Sequence, residues 1–159
     1  MAYPPGVPND NWTLGQARDW LRDRIDDGQR CPCCTQLAKA YKRKLTASIA
    51  RVLIRMWHNG RHDWVHLPTI RSAGQDEVIA RFWKLIEQYP DAVRDDGSSR
   101  VGWWRLTPAG VAFVLNRSKV PKYARIYNNR CLGLDHSKQV SIIDVLGTKF
   151  NYTELMEGI

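Results

Sequence analysis

The sequence predicts a mainly α fold of the α+β class, in which helices carry the core and two short antiparallel hairpins interrupt them. Three observations point there. Apolar residues at spacings of three or four follow a helix-capping residue at Thr13, and Thr107-Pro108 opens another helix in the same way. Turn chemistry recurs at Asp95-Asp96-Gly97 and at Asn128-Asn129 between strand-like runs. The chain has 159 residues, 43% of them hydrophobic, with seven Trp and six Tyr, enough apolar material to bury a core and too much for a disordered segment.

In chain order, residues 1–12 are Pro-rich and polar and read as a loose arm. Residues 13–44 read as an N-terminal helix, a Cys cluster and the start of a basic helix. Thr13 caps the first helix, Gln16 stands three residues on as the reciprocal half of a capping box, and Asp27-Gly28 ends it. Leu37, Tyr41, Leu45, Ile49 and Leu53 then keep helical spacing, which predicts one long helix over 36–57. The core, 45–116, continues with Trp64-Val65-His66-Leu67 as a strand, a helical turn or two before Gly74, and a helix over 75–86 with Val78, Ile79, Phe82, Leu85 and Ile86 inward. A hairpin turning at Asp95-Asp96-Gly97 follows, and then the helix from Pro108 to Leu115. Residues 117–159 read as a C-terminal hairpin turning at Asn128-Asn129 and a short amphipathic segment whose Phe150, Tyr152 and Leu155 pack back onto the core.

Charge is unevenly placed. The formal net charge is +8, and residues 28–62 hold eight basic residues and no acid, whereas 63–116 hold six basic and seven acidic residues. Residues 117–149 repeat the bias, with seven basic residues against Asp135 and Asp144. Such a distribution fits phosphate backbones or acidic proteins. On the long helix Lys42, Arg43, Arg51 and Arg55 fall off the apolar stripe; with Lys44 they are either an ordinary solvated face or candidate phosphate contacts. No apolar run is long enough to cross a bilayer and no leader pattern opens the chain, so no membrane partner is expected and the location expected is a cytoplasm. No Ser-His-Asp order, paired-carboxylate motif or Gly-rich phosphate loop occurs, and the chain reads as non-enzymatic.

Over about residues 45–116, the order helix, short strand, helix, turn, helix, two strands and helix resembles the winged helix-turn-helix of MarR-like transcription regulators. Lys84-Leu85-Ile86-Glu87 looks like the end of a recognition helix, Asp95 to Arg100 like a wing tip, and Arg105-Leu106-Thr107-Pro108-Ala109-Gly110 like the exit from the wing. The resemblance implies that Gln75, Arg81 and Lys84 face bases or phosphates and that Arg94, Ser98, Ser99 and Arg100 meet the backbone. The chain departs from that pattern at Asp76, Glu77, Asp95 and Asp96, which put acids where phosphate should approach, so symmetric operator binding is not implied and the oligomeric state stays open. Taken whole, with Cys31-Pro32-Cys33-Cys34, Val120-Pro121-Lys122-Tyr123 and Tyr127-Asn128-Asn129, the chain is similar to small uncharacterised proteins of bacteriophages and bacteria. DNA or another nucleic acid is the partner expected, with a host protein engaged through the basic face or around Trp103 and Trp104 as the alternative.

Cys31-Pro32-Cys33-Cys34 has three readings. Cys31 and Cys34 have the spacing with which two thiolates grip one zinc ion, leaving Cys33, Cys131 and the histidines to supply the remaining ligands. The same segment at a helix start has a faint likeness to glutaredoxins and suits a redox pair. Alternatively, small thiols fill a junction between two helices.

Overall fold

The computed structural model describes residues 8–70, 76–90, 102–128 and 130–158. The chain divides into two compact units, one of Met1–Arg43 with Arg125–Gly133 and the other of Lys44–Ala124 with Leu134–Ile159.

In the first unit, helix α1 (Leu14–Arg24) starts where expected. The Thr13 side chain accepts from the Gln16 N–H at 3.1 Å, and Gln16 Oε1 accepts from the Thr13 N–H at 2.8 Å, a reciprocal capping box. Gly28, at φ 84°, takes the left-handed conformation that lets the chain turn back after the helix. Strands β1 (Gln29–Arg30) and β2 (Leu37–Ala38) then pair antiparallel, with Gln29 opposite Ala38. Ile25, Ala38 and Ala40 make a small core against which Leu21 and Tyr127 pack. Arg125 grips Asp26 with two hydrogen bonds, at 2.9 and 3.0 Å.

The second unit is organised around α2 (Ala47–Gly60), which buries Ile49, Ala50, Val52, Leu53, Ile54 and Met56. It is followed by β4 (Val65–His66), α3 (Leu67–Ile70), a 3-10 helix (Asp76–Trp83), β5 (Ile86–Gln88), β6 (Trp103–Leu106) and α4 (Pro108–Val114). The three strands form an antiparallel sheet in the order β4-β6-β5, with Val65 opposite Trp104 and Glu87 opposite Arg105. α2 packs on α3, α4, β6 and the 3-10 helix. Two short helices, α5 (Ile142–Leu146) and α6 (Tyr152–Met156), also pack on α2. The C-terminal segment docks as expected: the Tyr152 hydroxyl donates to the Val114 carbonyl at 2.7 Å, and His58 Nε2 lies 2.7 Å from the Leu155 carbonyl oxygen.

Strands β3 (Tyr41–Lys44), β7 (Val120–Tyr127) and β8 (Arg130–Val140) form a second sheet in the order β3-β7-β8. The expected C-terminal hairpin is therefore present, and β8 extends six residues beyond the Leu134 at which the sequence pattern ends it. The residues of this sheet are divided between the two units.

Four expectations need correction. First, the long helix over 36–57 does not form. Leu37 and Tyr41 are each 58% exposed, so the helical spacing of 37 and 41 with the buried Leu45 and Ile49 is coincidental. The helix starts only after Thr46, whose side chain accepts from the Ile49 N–H at 3.2 Å, and Lys42, Arg43 and Lys44 lie on strand β3. Second, this strand and the extended β8 make the chain a mixed α+β protein rather than a mainly α one. Third, the helix over 75–86 is a 3-10 helix that stops at Trp83. Its period of three puts Glu77, Ala80 and Trp83 inside, with Glu77 only 3% exposed, while Val78, Ile79 and Phe82 are half-buried. The Trp83 indole N–H donates to the Pro121 carbonyl at 2.6 Å, which fixes that inward face. Fourth, the Cys cluster closes a hairpin between β1 and β2, not a junction between helices, and Cys33 and Cys34 are exposed.

Thr107 holds two elements together. Its hydroxyl oxygen accepts from the Gly110 N–H at 3.0 Å, capping α4, and its O–H donates to the Lys84 carbonyl that ends the 3-10 helix turn. Thr107→Ala removes both bonds and is expected to cost about 1–2 kcal/mol in urea unfolding, while Thr107→Ser retains both and costs about 0.5 kcal/mol or less.

Candidate nucleic-acid interface

The main basic concavity of the second unit gathers at the start of α2. The Thr46 cap ends β3 and begins the helix, so Lys44 projects beside the first helical turn. β7 brings Lys122 and β8 brings Lys138 to the same place. Lys44, Thr46, Ala47, Lys122, Lys138 and Asp144 line a depression of about 590 Å³. Lys44 and Lys138 are exposed and Lys122 is half-buried. The first turn of α2 carries no acidic side chain, so its free backbone N–H groups add to the positive potential of the lysines.

Among the described residues Asp144 is the one carboxylate of the depression. Its position is fixed by the cap of α5: Asp144 Oδ2 accepts from the Ser141 N–H at 2.9 Å and the Asp144 N–H donates to Ser141 Oγ at 3.1 Å. The Ser141 bonds hold its carboxyl below the usual carboxylate range, and the positive charges of Lys119 and Lys138 push it the same way. It is thus ionised at neutral pH, and three lysines outweigh it.

The residues that the sequence singles out for binding do not gather there, Lys44 excepted. Lys42 and Arg43 lie exposed on β3, within the first unit. Arg51 stacks on the Phe150 ring at 4.7 Å, and Arg55 donates to the Ile70 carbonyl at 3.0 Å. Both are half-buried and serve packing around α2 rather than an outward basic face. Arg81 likewise turns inward, donating to the Val78 carbonyl at 2.9 Å and covering Phe82 at 4.2 Å. Lys84 is exposed at φ 59°, in the turn between the 3-10 helix and β5. Gln75, Arg94, Ser98, Ser99 and Arg100 lie outside the described residues, as does the turn at 95–97. Lys122 and Lys138 are the residues that sequence reasoning missed. The basic excess of 117–149 was the available signal, but only strand pairing brings that segment beside Lys44.

On the outer face of β4-β6-β5, Trp64 meets Tyr89 edge-on at 4.9 Å, His66 lies against Trp103 at 5.2 Å, and Arg105 covers Trp64 at 4.3 Å while pairing with Glu87. Trp104 points the other way and is buried.

In the first unit, the hairpin turn 31–36 is closed by the Cys31 N–H donating to the Gln36 carbonyl at 2.9 Å and the Thr35 N–H donating to the Cys31 carbonyl at 2.9 Å. Backbone N–H groups of Cys34 and Cys33 point at Cys31 Sγ and hold its thiol below the ordinary value. Among the described residues no three His, Cys, Asp or Glu side chains are placed to hold a metal ion. Cys131 and the histidines therefore do not complete the set expected from the spacing of Cys31 and Cys34.

No protein-family model matches the chain, and no match is found among curated proteins or among solved structures. Among the described residues no helix is long and apolar enough to cross a membrane.

Proposed function

We propose that the chain is a non-enzymatic nucleic-acid-binding protein whose second unit takes a phosphate backbone at Lys44, Lys122 and Lys138. The observation that carries this reading is the convergence of three lysines from three strands on one depression at the start of α2. Lysines scattered over a solvated surface are screened from one another, whereas lysines gathered at one place repel, and a bound anion relieves that repulsion. Gathered beside free helix amides, they suit a ligand of repeated negative charge. The chain order α2, β4, α3, 3-10 helix, β5, β6 and α4, with the three strands paired as β4-β6-β5, supports a winged-helix arrangement for the same unit. In that arrangement exposed Lys84, just after the 3-10 helix, meets the nucleic acid from that side.

Anisotropy of labelled duplex DNA, single-stranded DNA and RNA, titrated with the purified chain at several salt concentrations, tests the reading. Three displaced counterions give a log–log slope of about −2 to −3, so raising salt from about 50 to about 200 mM weakens binding about 15- to 60-fold. Binding that ignores salt, or none to any of the three, refutes it.

A module that docks on a host protein is the second reading. The half-exposed Trp64, His66, Tyr89 and Trp103 on the outer face of β4-β6-β5 favour it, because aromatic residues are over-represented in protein interfaces. A partner that survives nuclease treatment and is lost on Trp103→Ala decides for this reading.

A further inference from the structure

We propose that Cys31 and Cys34 are one half of a four-thiolate zinc site that closes between two copies of the chain. The hairpin β1-β2 carries this turn: Ala38 anchors β2 in the small core of the first unit, and the Cys31 N–H donates to the Gln36 carbonyl across the base of the turn. Thr35 sits at φ 66°, in the left-handed region, and its N–H bond to the Cys31 carbonyl curls residues 31–35 over the Cys31 sulfur. The Cys33 N–H then donates to Cys31 Sγ at 3.4 Å. Backbone amides aimed at a sulfur offset the negative charge of a metal-bound thiolate, the outer-shell support that such sites require. The Cys-x-x-Cys spacing supplies two ligands of a tetrahedral set, and Cys33 between them contributes its amide rather than its sulfur.

Ligand number decides where the other two come from. A structural zinc site needs four. Every Cys and His of the chain lies among the described residues, and no three metal-binding side chains among the described residues converge. The described residues of one chain thus offer a pair, on an open turn whose Cys34 is exposed. A second copy related by a two-fold axis offers the identical pair, and closed two-fold pairing is the commonest assembly of soluble proteins. Two further features fit that occupant. Apolar side chains stand exposed beside the turn: Leu14, 72% exposed, lines a shallow cleft with Arg18, Pro32 and Cys33, and Leu37, 58% exposed, follows the turn on β2. A contact between copies covers these side chains. A zinc ion with four thiolates also carries two negative charges, and residues 28–44 hold Arg30, Lys39, Lys42, Arg43 and Lys44 with no acid, so the site offsets the repulsion between two basic chains. Each of the four thiols gives its proton to solvent when the metal binds, and no electron is transferred.

The test uses the full chain, purified with a reductant, loaded with zinc and freed of excess metal. Metal analysis and light scattering after size-exclusion chromatography are expected to give one zinc per two chains and the mass of a dimer, which a chelator returns to the monomer. Cobalt in place of zinc is expected to give the intense absorption bands of tetrahedral thiolate coordination. Cys31→Ser and Cys34→Ser are expected to lose both metal and dimer with unchanged far-UV circular dichroism, and Cys33→Ser to keep both. One zinc per monomer, a dimer that survives the chelator, or no zinc retained by the parent protein each overturns the proposal, and none of these readouts depends on the variants folding.

Discussion

Gly110→Ala is expected to destabilise the second unit by about 2 kcal/mol or more, and to lower its melting temperature by about 4–8 °C, at about 2–4 °C per kcal/mol for a chain of this size. A Cβ at Gly110 would stand 2.0 Å from the Leu85 carbonyl oxygen, 2.9 Å from its carbon and 3.3 Å from Leu106 Cδ2. The first two are backbone atoms of a residue with no exposed surface, and the same oxygen accepts from the Thr107 N–H at 3.0 Å. Neither can yield alone. α4 must lift away from the chain entering β5, which breaks that bond and opens the core around Phe113. Against this, alanine gains about 1 kcal/mol of helix propensity over glycine, less than the clash costs. Gly15→Ala separates the two effects: in the first turn of α1 the nearest atom to the added carbon is Thr13 Oγ1 at 3.7 Å, so propensity acts by itself and the change is neutral or stabilising. Equal melting behaviour of the parent and the Gly110 variant would show that the helix does not approach β5 this closely.

Local chemistry made part of this fold legible in the sequence. Thr13 with Gln16, and Thr107 with Gly110, act through bonds spanning three residues, and both helices begin where those bonds require. Asn128, at φ 49°, likewise takes the positive φ that its side chain allows. The failures arise where spacing was read without knowledge of what lies opposite. Leu37 and Tyr41 keep helical spacing with Leu45, yet their faces meet no core. At Glu77, Ala80 and Trp83 the period is three rather than 3.6, and a charged residue at an inward position hid it. Val78, Ile79 and Phe82 supplied an apolar stripe that looked sufficient for an α-helix.

The candidate site was less legible, for a physical reason. Charge placement in a sequence gives the sign of a surface but not which guanidinium groups remain available. Arg51, Arg55 and Arg81 have planar heads engaged by Phe150, the Ile70 carbonyl, the Val78 carbonyl and Phe82, so half-burial takes them out of the basic surface. Lys122 and Lys138 lie nearly eighty residues or more beyond Lys44 along the chain and meet it only through the order β3-β7-β8. Pairing of that range leaves no local mark in a single sequence.

Reversing the three lysines gives the largest effect expected on binding. A phosphate about 4 Å from a Lys ammonium gains about 1 kcal/mol in water, and a glutamate there makes the term repulsive by a similar amount, so each reversal costs about 2 kcal/mol. Lys44→Glu, Lys122→Glu and Lys138→Glu together are expected to weaken binding at least about 1,000-fold at low salt, at about 1.4 kcal/mol per factor of ten. Single Lys→Ala changes lower the magnitude of the salt slope by about one each. Two controls give the result its meaning. Arg51→Ala and Arg55→Ala are expected to lower melting temperature and leave the salt slope alone, because those side chains are engaged within the unit. Asp144→Asn keeps an oxygen for the Ser141 N–H, so the cap of α5 persists while the depression loses its one negative charge, and affinity is expected to rise. Weaker binding by Asp144→Asn, or a triple reversal that binds as the parent does, would move the interface away from the start of α2.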